Sequence, residues 1–314
     1  MPSVVASTSA RRMAFAMLGL SIAIGSVSFT LVKIALDELS PSALAMGRVV
    51  VSAAVFALVI GLQPWRRRPV PRGERFLVFL CGFGGSAAFH LVFNSGYQRV
   101  SVPVGALIMA TTPVLVAVGE VMFLHHRLRM SQSLGLVLTF AGCTVIGTSG
   151  ASSGTSSTLG VLLVFGAVLI WAGVTVATRS VTDSYDPWWL NTPGTLVGAV
   201  FVLLVDPGGV REFAHLSAKG WLVVVWLGAA SSAFIYYALA KVMREVSATA
   251  AMSASTVVTP TGVLVAWLVL GDRPTLVQVL GGVVVLVGVV LVTRRSSHDS
   301  VTKVPSSAST EGAL

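Results

Sequence analysis

The amino-acid sequence predicts an all-α polytopic membrane protein, with ten transmembrane helices arranged as two inverted five-helix repeats. Three observations carry that expectation: apolar runs of about 20 residues, a second half that matches the first at an offset of 146, and basic residues crowded at alternate links. Only 11% of the 314 residues are charged, 54% are hydrophobic and the mean hydropathy is +0.86. An ordinary soluble domain has roughly 25% charged residues. Buried sheet strands, the soluble alternative, run roughly 4–8 residues between turns, shorter than these runs. A helix of about 20 residues rises about 30 Å, the thickness of a bilayer core.

Taken in order, the first span, 13–32, follows Arg11 and Arg12. It is too long for a signal peptide and no small-residue cleavage site follows, so it reads as a retained helix. The second, 42–62, opens after Pro41 and stops at QPWRRRPVPRGER; the third, 76–98, is divided from the fourth, 102–124, by Arg99 alone. HHRLR leads to the fifth, 131–148, and the uncharged SGASSGTSST leads to the sixth, 159–178. The seventh and eighth, 188–205 and 220–240, are parted by a Pro-Gly-Gly link; the ninth and tenth, 248–270 and 275–292, are parted by GDRPT. The expected domains are a cytoplasmic segment 1–12, repeats 13–148 and 159–293, a linker 149–158 and a tail 294–314. The first ten residues and the tail are Ser/Thr/Ala-rich without periodicity and are expected to be disordered.

With the N-terminus inside, fifteen Lys and Arg residues fall on cytoplasmic segments, Arg66, Arg67, Arg68, Arg72, Arg75 and Arg127 among them. Five (Lys33, Arg99, Arg211, Lys219 and Arg273) fall outside, and Arg48 lies within the second span. That bias puts both termini in the cytoplasm of a bacterial inner-membrane protein. It also explains the net charge of +9 without nucleic acid. The offset pairs Pro41 with Pro187, Ser86 with Ser232, Arg127 with Arg273, Gln132 with Gln278, Gly135 with Gly281 and Gly142 with Gly288. Five spans per half is an odd number, so the second half enters the membrane from the other side. Such inverted repeats are the usual basis of alternating access.

These residues resemble the EamA-type transporters of the drug/metabolite transporter superfamily. The pattern is Pro113, His125-His126-Arg127-Leu128, Gln132, Gly135 and Gly142 in one half. In the other it is Pro260, Gly271-Asp272-Arg273-Pro274, Gln278, Gly281, Gly282 and Gly288. Gly25, Lys33, Pro41, Arg48 and Trp171 are further marks; His126 and Asp272 depart from the Gly-Glu-Arg turn usual in the family. The resemblance implies two five-helix repeats around a central cavity. It also implies a transporter of small organic solutes, often an exporter of amino acids, metabolites or drugs.

Residue by residue, Pro113 and Pro260 break the fourth and ninth spans, each freeing a carbonyl four residues earlier. Such carbonyls are tolerated in a membrane only where protein, hydroxyls or water satisfy them. In the third span His90, Asn94 and Tyr97 stand at i, i+4 and i+7, with Ser86 and Phe83 one and two turns earlier on the same face. Polar groups in hydrocarbon face the bundle interior, as helix–helix glue or as contacts to solute and water. Tyr236, opposite His90 by the offset, joins Tyr237, Phe234, Trp171 and Phe29 as candidate ring surface for a flat or partly apolar solute. The candidate substrate-binding set is therefore His90, Asn94, Tyr97, Trp171, Tyr236 and Tyr237. Glu120, Arg48 and Lys33 are the candidates for gating or coupling. Glu120 has Arg127 two turns on, Arg48 can attract a carboxylate or pair with Asp37, Glu38 or helix carbonyls, and Lys33 marks the outer end of the first span. His90 is a candidate proton carrier.

The leading expectation is a secondary transporter of amino acids, aromatic metabolites or drugs, exporting by alternating access, with protons as candidate coupling ion, as a monomer or homodimer among membrane lipids. No cofactor or metal is expected: Cys81 and Cys143 have no metal-ligand spacing around them. No nucleophile–base constellation points to an enzyme. The alternative is a non-transporting membrane interaction or sensing protein, against which the lack of a sizeable soluble domain counts.

Overall fold

In a computed structural model, the described residues, 8–124, 130–152, 156–245 and 248–293, form helices and turns with no β-strand among them. The rods are α1 (Thr8–Ala35), α2 (Pro41–Leu62), α3 (Arg75–Tyr97), α4 (Val102–Phe123), α5 (Met130–Ser152), α6 (Thr158–Val181), α7 (Pro187–Val205) and α8 (Ala218–Val242). The pieces Ala248–Ser255 and Val258–Leu270 make up α9, and α10 is Leu276–Thr293. Among the described residues, seven helices are long and apolar enough to cross a membrane; Ser133–Ile146, Val258–Leu270 and Leu276–Leu291 are shorter apolar helices. Short 3-10 helices at Pro64–Arg66, Arg72–Glu74 and Pro207–His215 fill links in which the sequence pattern defines no element.

Caps explain the starts. Ser40 accepts from the Ala43 amide with Pro41 in the first turn of α2, and Asp186 accepts from the Trp188 amide ahead of α7. Proline suits that position because the first amides have no helical acceptor. At the other extreme, α9 ends on Gly271 at φ 71°, where a side chain would be strained.

The two halves meet through images of the same contacts. A Cβ on Gly142 would lie 2.8 Å from the Gly281 carbonyl oxygen, and one on Gly288 would lie 2.6 Å from that of Gly135. Because 135 matches 281 and 142 matches 288, each close approach is the other's image, and α5 runs antiparallel to α10. The Ser40 amide and hydroxyl donate to the two carboxylate oxygens of Glu212, both at 2.7 Å. At the opposite end, Arg66 pairs with Asp186 at 2.6 Å. Positions 40 and 186, and 66 and 212, are again mates. Outward faces carry exposed Phe76, Leu204, Leu222 and Leu268, as contact with lipid requires.

Candidate functional site

Both broken helices turn at equivalent places. The helical pieces of α4 stop at Met109 and resume at Thr112; those of α9 stop at Ser255 and resume at Val258. The carbonyl of Met109, which a proline at 113 cannot serve, accepts the Thr112 hydroxyl at 2.6 Å, and the Thr111 hydroxyl donates to Ile108 at 2.8 Å. The Thr256 carbonyl accepts from the Thr259 amide at 3.1 Å. Matching π-helical segments, Gly84–Ala88 in α3 and Ala229–Phe234 in α8, form a second symmetric irregularity. Spacing arguments miss them; their one signal in the sequence is the matched small-residue runs around Ser86 and Ser232.

The two breaks and Ser231 of the α8 π segment line a cavity of about 180 Å³. Trp171, Tyr236, Phe89, Phe93 and Phe29 line it with rings, residues such as Ser28, Thr112, Ser255 and Thr259 with hydroxyls, and Arg48 and His90 with ionisable groups, beside Pro113. Trp171 stands with its ring centre 5.3 Å from Phe89 and 5.4 Å from Tyr236. The lining reaches to Leu18, Val242 and Met252 along the N-terminal part of α1, the C-terminal part of α8 and the first piece of α9.

The repeat mates His90 and Tyr236 bond to each other across the wall, Nε2 to hydroxyl at 2.9 Å, and Ser232 Oγ lies 3.0 Å from the same nitrogen. The Tyr236 hydroxyl donates to the Gly85 carbonyl and that of Ser232 to the Leu227 carbonyl. Each hydroxyl has a single proton, already committed, so both oxygens accept here and Nε2 carries the hydrogen. His90 Nδ1 is buried without a partner, as are Nε and Nη1 of Arg48. Arg48 is 4% exposed, and no hydrogen bond or ion pair to it occurs among the described residues. The pairing with Asp37 or Glu38 open to it by sequence does not form: Glu38 accepts the Ser217 amide and hydroxyl instead.

Of the predicted substrate-binding residues, His90, Trp171 and Tyr236 line the cavity; Asn94, Tyr97 and Tyr237 do not. Asn94 donates to the Pro41 carbonyl at 3.3 Å, and Tyr237 stacks on Trp188 at 4.4 Å. Tyr97, fully buried, donates to the Phe29 carbonyl at 3.2 Å and stacks on Phe93 beyond the end of the cavity. Regular helical spacing puts Phe83 and Ser86 on the His90 face, but the π segment resets the register. Phe83 meets Phe201 of α7 at 5.2 Å, and Ser86 lies against Gly198 of the same helix. Lys33 donates to the carbonyls of Tyr97, Gln98 and Val100, the last at 2.9 Å. Asp272 accepts from the Val102 amide at 2.9 Å, tying the turn after α9 to the start of α4. Glu120 accepts the Thr249 hydroxyl; its expected neighbour Arg127, with His126, lies outside the described residues. Pro113 lines the cavity, whereas Pro260 is exposed and is not among the lining residues.

The class defined by this geometry is a multi-pass helical membrane protein of two repeats around a central cavity. Residues 12–148 and 158–294 each match the EamA-like transporter family. The chain belongs to that family, which is one of transporters. It is 24% identical over 280 residues to a "Probable terminal-alkyne amino-acid exporter" of Streptantibioticus cattleyicolor, covering 88% of this chain and 92% of that one. An "Uncharacterized transporter YdfC" of Bacillus subtilis is 28% identical over 273 residues, covering 86% and 87%. A crystal structure of a protein with 18% identity superposes with a TM-score of 0.64 over 91% of this chain and 99% of that one, a likeness of fold.

Proposed function

We propose that the chain is a secondary transporter that exports small organic solutes by alternating access. On this reading ten helices cross the cytoplasmic membrane and both termini lie inside. The observation that carries it is the pair of helix breaks, one per antiparallel repeat, opening onto one ring-lined cavity. A bistable pair of like halves around a shared site is what alternating access requires. Lys33, Tyr97 and Asp272 then form the outer closure, since their bonds lie beyond the cavity's Phe93 end, while the lining extends toward the cytoplasmic parts of α1 and α8. Export of amino-acid-like or aromatic solutes draws support from the amino-acid exporter named among the relatives, that of Streptantibioticus, and from the rings.

Counterflow of radiolabelled solutes in proteoliposomes tests the reading. Saturable exchange of one class is expected, and folded protein that exchanges none overturns it. Cysteines at 127 and 273 should react with an impermeant reagent from opposite sides. His90, in the cavity wall, is the candidate proton carrier; exchange that stays pH-independent and is retained in His90→Gln removes it from that role.

A further inference from the structure

Arg48 sits on the eighth residue of α2, about 10 Å along the helix from its start. Arg48 is a lining residue of the cavity and almost wholly buried, and its Nε and Nη1 have no partner among the described residues. A buried cation is tolerated only when an opposite charge or several acceptors compensate it. No Asp or Glu is among the described lining residues, and the two acids nearest in sequence face elsewhere: Asp37 is exposed and Glu38 is held by Ser217. The repeat mate of Arg48 is Gly194, packed against the backbone of α3, so the second half supplies no matching charge.

We infer that Arg48 is a substrate-binding residue and that the cavity takes solutes with a carboxylate on an aromatic or flat apolar body. The guanidinium presents a planar fork of N–H donors that matches a carboxylate, and at a residue only 4% exposed such a bond is stronger than at a surface. Trp171, Phe89 and Tyr236 offer the body of the solute ring faces on the same wall. A solute whose only charge is an ammonium meets an unopposed positive charge and is disfavoured. This inference rests on the transport reading for its biological sense, but binding alone tests it.

The full chain in lipid nanodiscs is titrated with tritiated 3-phenylpropionate, and 3-phenylpropanamide and phenethylamine are run as competitors. Saturable binding of the acid is expected, with amide and amine at least about tenfold weaker. Arg48→Gln should weaken the acid roughly ten- to hundredfold and leave the amide unchanged. Absence of saturable acid binding, amide or amine binding as tight as the acid, or an Arg48→Gln protein that keeps wild-type affinity for the acid each overturns the inference. Should Arg48→Gln fail to fold, the order of acid against amide in the wild-type chain decides. Acid binding without counterflow sinks the transport reading and leaves this one standing; counterflow of the amine with no binding of the acid does the reverse.

Discussion

The two repeats place their breaks at equivalent points but use them differently. Met109 and Ser255, the last residues before each break, are mates, whereas the prolines are not: Pro113 matches Thr259, and Pro260 falls one residue later. One residue is about 100° of helix: Pro113 and Thr259 both line the cavity, while Pro260 is exposed and not among the lining residues. The helix ends differ in the same manner. The position that holds the mate's N-cap is Arg66 at one end and Glu212 at the other. With the N-terminus inside, the base falls in the cytoplasm and the acid outside, as the distribution of Lys and Arg demands. Duplication has kept the places of contact and let their chemistry diverge.

The largest effect is expected where divergence has gone furthest, at the mates Arg48 and Gly194. A Cβ at Gly194 collides with backbone atoms of Phe79 and Phe83, which cannot withdraw as a side chain would. Overpacking of this kind costs about 1–3 kcal/mol. Gly194→Ala should therefore lower the thermal midpoint of the purified protein by several degrees, roughly 2–4 °C per kcal/mol at this size. Gly173, where a Cβ would meet nothing within 4 Å, is the control. Gly173→Ala should leave the midpoint unchanged or raise it, since alanine favours helix. Equal losses in both variants would mean that the close packing of α7 on α3 is not what requires glycine.

Next comes the comparison of the prolines. Pro113→Ala restores an amide inside the cavity wall and competes with the Thr112 hydroxyl for the Met109 carbonyl. It should slow exchange about tenfold, with both rate and half-saturation affected, as hinge changes do. Pro260→Ala, outside the cavity lining, should stay within about twofold. The reverse order would show that the ninth helix, and not the fourth, carries the moving break.

How much of this is legible in the sequence depends on the kind of feature. Helix breaks are, because proline and nearby hydroxyls announce a missing bond locally. The mating of His90 with Tyr236 is, because a repeat offset fixes equivalence without any structure. The π segments are not: Gly-Gly-Ser-Ala-Ala has no periodicity to reveal an extra residue, and that residue turns Phe83 toward α7 and out of the stripe it shares by spacing with His90. Spacing gives the inward face of α3 from His90 onward, but not the depth of the cavity. It ends at Phe93, one turn before Tyr97, because Tyr97 fills the space beneath Lys33. Closure of that kind depends on how helices distant in sequence tilt against one another.

The smallest effects should separate the two ends by pH. At the end that holds Glu212, Glu38 accepts the Ser217 amide and hydroxyl, and these two bonds, the amide first, hold its carboxyl below the usual carboxylate range. At the end that holds Arg66, Tyr185 donates to Glu74, and that bond pushes the phenol above its ordinary value. A depressed carboxyl adds stability above its unfolded pKa and loses it as pH falls through the folded one; a raised phenol adds stability below its unfolded pKa and loses it as pH rises through the folded one. Acid should therefore loosen the Glu38 end and alkali the Tyr185 end. Comparing thermal midpoints of Ser217→Ala and Tyr185→Phe with wild type across pH checks this. The Ser217→Ala deficit should shrink below about pH 4, and the Tyr185→Phe deficit should shrink above about pH 10. Deficits that persist unchanged at those extremes would assign both contacts to packing, leaving the charge reversal between the ends to Arg66 and Glu212 alone.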